Sequence, residues 1–203
     1  MKKIVLFAIV LMIAMGAVAA NAAVYTFTPA DNDLGDLDHS SFYSWGINWT
    51  HSSETITGAT LKIFNIWDWT NERNDSLYIN LLDNPSLGVT SGTDNEGGGN
   101  HFAGNPWIGT FTDLQGGAEH NPKLNLTYDL GALGLLPTLQ TYVSDDANHR
   151  FGFGFDPDCH YYNDLVQVCI TTGTPPPSVP EPSMLSMLGL GLTGIALYLR
   201  KKK

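Results

Sequence analysis

About eight short stretches between residues 24 and 172 either alternate apolar with polar side chains or are rich in β-branched and aromatic residues. The clearest of them, 42–50, has a large side chain at every second position, in the order Tyr43, Trp45, Ile47 and Trp49. Residues two apart lie on one face of a strand, so Trp45 and Trp49 are predicted to be core residues. The predicted strands are 24–28, 42–50, 59–67, 76–82, 106–111, 124–130, 150–155 and 165–171.

The segments between these strands are rich in turn residues, and no long amphipathic helix separates them. Only 135–143 has a helical pattern, with Pro137 suited to a first turn. This organisation predicts an all-β domain over residues 24–172, an antiparallel β-sandwich or jelly roll. Two apolar segments flank the domain: an N-terminal signal peptide helix and a C-terminal transmembrane helix are expected.

The N-terminal segment has the three parts of a secretory signal peptide. Lys2 and Lys3 precede an uncharged apolar run over 4–18, and a small-x-small pattern follows. Signal peptidase is therefore expected to remove residues 1–23, at a site formed by Ala20, Ala22 and Ala23. A retained membrane helix is the alternative.

Export also bears on the two cysteines, Cys159 and Cys169. Disulfides form in oxidising compartments outside the cytoplasm. A Cys159–Cys169 disulfide around the last hairpin is predicted, with free thiols as the alternative.

The C-terminal segment is a second targeting signal. A proline-rich linker over 173–182 leads to an apolar stretch over 183–199 and a basic tail over 200–203. The stretch is at the lower length limit for a transmembrane helix, and the basic tail is expected to stay in the cytoplasm with the domain outside.

The order of these parts resembles the PEP-CTERM sorting signal of Gram-negative bacteria. The matching features are a Pro-Glu-Pro triplet, the Gly- and Leu-rich helix and the basic terminus. The motif residues are Val179, Pro180, Glu181 and Pro182. The resemblance implies that an exosortase in the inner membrane recognises the triplet and cleaves nearby. The product would then pass to the cell surface or the extracellular polymer matrix. A tail anchor that remains uncut is the alternative.

Charge and motif content limit what the domain can do. The formal net charge is -10, and the domain carries only four basic residues, Lys62, Arg73, Lys123 and Arg150. Such a domain lacks the basic face that nucleic-acid binding requires. No nucleophile-elbow, zincin or phosphate-loop motif occurs. A non-enzymatic surface or matrix protein is predicted; a secreted polysaccharide hydrolase and a purely structural passenger without ligand are the alternatives.

Clusters of acidic residues in three turn regions indicate calcium as a candidate ligand, because hard cations bind several oxygens. The candidate ligands are Asp31, Asp33, Asp36, Asp38, Asp68, Asp75, Asp156, Asp158 and Asp164. None of the clusters fits an EF-hand, and solvated acidic turns are the alternative.

The six histidines, His39, His51, His101, His120, His149 and His160, include no pair at i,i+2 or i,i+4. A zinc site would therefore need tertiary contacts.

Aromatic residues near turns suggest an extracellular polysaccharide as a partner. Sugar rings stack their apolar faces on exposed aromatic side chains. The candidates are Trp67, Trp69, Trp107, Tyr161 and Tyr162. The alternative is that each of these is a partly buried residue at the rim of the core.

Overall fold

The computed structural model describes residues 22–68, 70, 74–94, 98–114, 123–145 and 148–173. Ala22–Gly173 form one compact unit. Apart from a few boundary residues, the predicted signal peptide, linker, sorting motif, transmembrane helix and basic tail lie outside the described residues. No helix within the described ranges is long and apolar enough to cross a membrane.

The unit contains ten described strands and one described helix. In chain order the strands are β1 Ala23–Phe27, β2 Ser41–Asn48, β3 Thr55–Asp68, β4 Asp75–Asp83, β5 Gly88–Thr93, β6 Trp107–Asp113, β7 Leu124–Asp129, β8 Arg150–Pro157, β9 Tyr161–Tyr162 and β10 Leu165–Gly173. The helix, α1, is Leu136–Asp145 and lies between β7 and β8. All eight predicted strands are present, and β5 and β9 were not predicted.

The strands form two antiparallel sheets of five strands each. Sheet one has the order β1-β10-β3-β7, with β9 paired to the end of β3. Sheet two has the order β5-β2-β8-β4-β6. The prediction of an all-β antiparallel sandwich is confirmed for the central unit.

The core consists of the inward-facing residues of both sheets. On β10 every second residue is buried, and on β8 the three phenylalanines at alternate positions are fully buried. The buried set includes Trp45, Trp49, Leu61, Ile63, Phe151, Phe153, Phe155, Val166, Val168 and Ile170. The expectation that Trp45 and Trp49 are core residues is therefore confirmed.

Helix α1 covers one edge of this core. Leu139 and Val143, one turn apart, are fully buried. The Gln140 Oε1 atom accepts a hydrogen bond of 2.7 Å from the Ile56 backbone N–H, which fixes the helix to the start of β3.

A bulge in β3 redirects the last residues of that strand. The pairing register between β3 and β7 shifts between Ile63 and Ile66, and Asn65 within this interval has a φ of 53°. The Asn65 backbone N–H donates to the Asn125 Oδ1 atom at 2.9 Å. Beyond the bulge, Trp67 and Asp68 pair with β9 instead of β7.

A two-bond clip joins β9 to the loop that precedes β2. The Leu37 backbone N–H donates to the Tyr161 carbonyl oxygen, and the Tyr161 N–H donates to the Leu37 carbonyl oxygen, each at 3.0 Å. Both side chains are buried in the core. The clip thus brings together chain segments that are more than 120 residues apart in sequence.

The predicted disulfide is wrong, because Cys159 and Cys169 are not joined in a disulfide. Cys159 is buried, with its Sγ atom 2.8 Å from the Thr70 Oγ1 atom. Cys169 lies on the outward-facing side of β10, where its Sγ atom contacts the Gln167 side chain at 3.4 Å. The two sulfur atoms therefore lie in different environments, one in the core and one on the outer face of sheet one.

Candidate functional site

The predicted aromatic residues come together at one place only among the described residues. Trp67 of β3 and Tyr162 of β9 are paired positions, and their ring centroids are 5.1 Å apart with an interplanar angle of 32°. Both side chains are half-buried, so each ring keeps some accessible surface. This arrangement can present a fixed aromatic surface of the kind that binds sugars. We refer to Trp67 and Tyr162 as the aromatic pair.

The other predicted aromatics do not join this pair. Tyr161 is 0% exposed, because alternation along the strand turns it inward between His160 and Tyr162. The prediction that Tyr161 contributes to an exposed platform is therefore wrong. Trp107 is 59% exposed but begins β6 in the other sheet. Trp69 lies outside the described part of the chain.

A cluster of two acidic residues and a cysteine includes the last residue of β3. Side-chain ligand atoms of Asp68, Asp75 and Cys159 lie within 4.8 Å of one another, and Asp68 is 1% exposed. The Asp68 Oδ1 atom accepts hydrogen bonds of 2.8 Å from the Thr70 N–H and hydroxyl. The Asp68 Oδ2 atom and the Tyr161 hydroxyl are buried and have no hydrogen-bond partner among the described residues. Burial, and then the charges of Asp68 and Asp75, raise the pKa of Tyr161.

A second buried acid, Asp156, holds the loop that follows β5. Its Oδ2 atom accepts a hydrogen bond of 2.6 Å from the His101 backbone N–H, and Asp158 accepts one of 3.1 Å from the Gly99 N–H. Burial raises the pKa of Asp156, and the nearby charges of Asp94 and Asp158 raise it further. These two predicted calcium ligands serve as hydrogen-bond acceptors for the loop.

The remaining predicted calcium ligands do not form one site. Asp31 and Asp33 line an open cavity of about 240 Å³. Asp33 accepts a hydrogen bond from the Gly35 N–H at 2.9 Å, and the Asp36 backbone carbonyl accepts one from the Tyr43 hydroxyl at 2.9 Å. Asp164 is 3.4 Å from the Lys123 Nζ atom, so a cation of this chain already balances its charge. Their geometry matches the alternative of acidic turns.

A group that the sequence did not predict forms around the first of the acidic turns. Asp38, His39 and His160 place one ligand atom each within 4.8 Å of the others. This group and the Asp68–Asp75–Cys159 cluster are the two such groups that the described residues contain. Asp38 was predicted as a calcium ligand, but the two histidines were missed because they meet only through the clip formed by Leu37 and Tyr161.

Comparison with known proteins yields one informative match. The family model described as the PEP-CTERM protein-sorting motif matches residues 178–203. No curated protein matches the chain. Six chains of solved structures match; one comes from the X-ray structure of tomato aspermy virus, which is 7% identical and covers 88% of this chain and 97% of that chain, with a TM-score of 0.31. A TM-score of this size does not establish a shared fold.

Proposed function

Given the PEP-CTERM sorting motif at residues 178–203, which marks the chain as an exported protein sorted by an exosortase, we propose that it is a non-enzymatic component of the cell surface or extracellular polymer matrix. In this proposal the exported part is the β-sandwich, and its role is to bind polysaccharide. The observation that carries the proposal is the combination of the motif with a two-sheet sandwich that has a fixed aromatic pair on its surface.

Processing at the motif is tested by the mass of the exported product. The full chain is expressed in a Gram-negative host with an exosortase, and intact masses of the extracellular species are measured. Wild type is expected to lose residues 1–23 and the segment beyond the sorting motif. A Glu181→Ala variant is expected to retain its C-terminal segment in the membrane fraction. An extracellular wild-type species that still carries residues 183–203 would contradict the proposal.

The aromatic pair supports polysaccharide as the ligand. Trp67 and Tyr162 occupy paired positions on β3 and β9 and their rings contact each other, so little side-chain freedom is lost when a sugar ring stacks on them. The Asp164 carboxylate and the Asn65 amide lie beside this strand end, joined by a hydrogen bond of 2.9 Å. Such groups bind sugar hydroxyls. The net charge of -10 favours neutral over anionic polysaccharides.

Binding is tested on a glycan array and by affinity electrophoresis, with the full chain in detergent. Trp67→Ala is expected to weaken binding at least tenfold. Trp107→Ala is the matched control, because Trp107 is more exposed but belongs to the other sheet. Absence of binding to every glycan, or an equal loss in the Trp107 variant, would contradict the assignment.

Calcium is proposed as a structural ligand of the Asp68–Asp75 cluster. The supporting observation is the buried Asp68 Oδ2 atom, which together with the Tyr161 hydroxyl has no hydrogen-bond partner among the described residues. A bound cation would satisfy the Asp68 Oδ2 atom and offset the cost of burying carboxylates. The melting temperature is expected to rise with millimolar CaCl₂ and to fall back with EDTA.

Two variants separate this calcium site from a general charge effect. Asp75→Asn is expected to abolish the calcium-dependent increase in melting temperature, whereas Asp31→Asn, on the open cavity, retains it. If both variants respond like wild type, or wild type itself shows no increase, the calcium proposal fails. The sorting and glycan experiments do not depend on that result.

A further inference from the structure

The group of Asp38, His39 and His160 is built by strand pairing. Leu37 and Tyr161 exchange two backbone hydrogen bonds as an antiparallel bridge. The next pair of opposed positions is therefore Asp38 with His160. Side chains of such adjacent pairs are close together and on the same face, here the face opposite the buried Leu37 and Tyr161 side chains.

The distances within the group are short enough for a shared ion. The His160 Nε2 atom is 3.3 Å from the Asp38 Oδ2 atom, and the His39 Nδ1 atom is 3.9 Å from the Asp38 Oδ1 atom. The two imidazole rings contact each other edge to face, with centroids 4.7 Å apart. One ring nitrogen from each histidine and one Asp38 carboxylate oxygen thus lie within 4.8 Å of one another.

The Asp38 carboxylate is held in place by its neighbours. Its Oδ1 atom accepts hydrogen bonds from the Ser40 N–H at 2.8 Å and from the Ser40 hydroxyl at 2.7 Å. These bonds lower the pKa of Asp38, with a smaller contribution from the nearby histidines. The Tyr43 hydroxyl accepts from the Asp38 backbone N–H at 3.0 Å and donates to the Asp36 carbonyl at 2.9 Å. Such supporting hydrogen bonds orient metal ligands in proteins.

The chemistry of these ligands differs from that of a calcium site. Two imidazole nitrogens and one carboxylate oxygen are typical ligands of Zn²⁺ and related transition-metal ions, whereas Ca²⁺ binds oxygen. The side chains of His39 and Asp38 are 54% and 46% exposed, and that of His160 is 20% exposed. The group is therefore open to solvent on one side, where water can complete a tetrahedral shell.

We propose that Asp38, His39 and His160 form a binding site for a divalent transition-metal ion, with Zn²⁺ as the preferred ion. The site goes beyond the proposed polysaccharide and calcium functions, and it shares no residue with the Asp68–Asp75–Cys159 cluster. Zinc sites that accept an external ligand have three protein ligands and one open position.

The test is titration of the full chain, purified in detergent without a polyhistidine tag and stripped with EDTA, with ZnCl₂ in a calorimeter. One Zn²⁺ per chain is expected to bind at this site, with at least tenfold weaker binding in His39→Gln and His160→Gln. His51→Gln is the matched control, because His51 also lies beside a carboxylate, 3.5 Å from Glu54, but belongs to neither ligand group found among the described residues. Its affinity for Zn²⁺ is expected to be unchanged.

Two further measurements keep the outcomes distinct. Co²⁺ is expected to give the visible absorption bands of a tetrahedral complex in wild type and in Asp75→Asn, but not in His160→Gln, and millimolar Ca²⁺ is not expected to displace it. Melting curves without metal show whether each variant is folded. The proposal is overturned if folded His39 and His160 variants bind Zn²⁺ like wild type, or if His51→Gln loses binding equally. Loss of Zn²⁺ binding in Asp75→Asn would likewise overturn it.

Discussion

The ring of Phe102 lies directly on the backbone of Gly154, so that a Cβ atom at Gly154 would be 2.6 Å from the Phe102 Cδ2 atom. Gly154 is on β8, the middle strand of sheet two, and Phe102 belongs to the loop between β5 and β6. Phe42 packs edge to face on Phe102 and stacks on the His101 ring, with the ring centroids of Phe42 and His101 3.7 Å apart. These aromatic rings thus cover the outer face of this sheet at Gly154.

Gly154→Ala is expected to lower the free energy of unfolding by about 1–3 kcal/mol, because the added methyl group must displace Phe102. Gly104→Ala is the control, since a Cβ there meets nothing within 4 Å. Denaturant unfolding of both variants checks the prediction. Equal stability of the two variants would show that the Phe102 ring is not fixed on Gly154.

Phe153→Ala is expected to destabilise the domain by about 3–5 kcal/mol, because it leaves a cavity in the core. Phe153 is 0% exposed, and its ring centroid is 5.8 Å from that of Trp45 and 6.0 Å from that of Phe151. Leu114→Ala, at a side chain that is 70% exposed, is expected to change stability by less than about 0.5 kcal/mol. Chemical denaturation measures both, and a small loss for Phe153→Ala would argue against the two-sheet core.

The Glu54 carboxylate is expected to make the free energy of unfolding depend on pH in the acid range. The Thr172 and Tyr25 hydroxyls donate hydrogen bonds to its carboxylate, and these bonds hold its pKa below the ordinary 4.5. A lowered folded-state pKa means that the unfolded chain binds the proton more readily. The stabilisation is therefore complete above pH 4.5 and is lost as the pH falls through the folded-state pKa.

Glu54→Gln removes this dependence. The variant is expected to melt below wild type at pH 7, and the difference is expected to shrink as the pH falls below about 4.5. Melting curves of both proteins from pH 7 to pH 3 provide the measurement. A difference that stays constant over this range would contradict the assigned role of the carboxylate.

The two thiols are expected to differ in reactivity. Cys169 is half-buried on the outer face of sheet one and Cys159 is buried, so a maleimide should modify Cys169 first and Cys159 only after denaturation. The melting temperature is expected to be the same with and without reductant. A disulfide would instead contribute about 2–5 kcal/mol, and its reduction would lower the melting temperature markedly.

Periodicity in the sequence was sufficient to predict the strands that have one buried face. Alternation identified β2 and β8 and the burial of Trp45 and Trp49, because the period of two is a direct consequence of strand geometry. It could not identify β5, Gly88–Thr93, whose side chains are almost all exposed at the sheet edge. The two-residue strand β9 is too short to show any period.

The metal-binding group shows the limit of sequence reasoning more sharply. Asp38 was recognised as a candidate ligand, but the meeting of His39 with His160 depends on the backbone clip between Leu37 and Tyr161. The spacing of residues along the sequence does not indicate such a backbone pairing. The error at Tyr161 has the same origin, because a tyrosine near a turn gives no indication of which face of a short strand it occupies.

The pairing of Ala23 with Thr172 joins the first and last strands of the unit. The two chain termini of the sandwich are therefore neighbours, and β10 and β3 extend from them for nearly their whole length before reaching Trp67 and Tyr162. Nine residues of β10 span about 25–30 Å. A domain tethered through either terminus would accordingly hold its aromatic and metal-binding groups at the distal pole, where a polymer strand has room to approach.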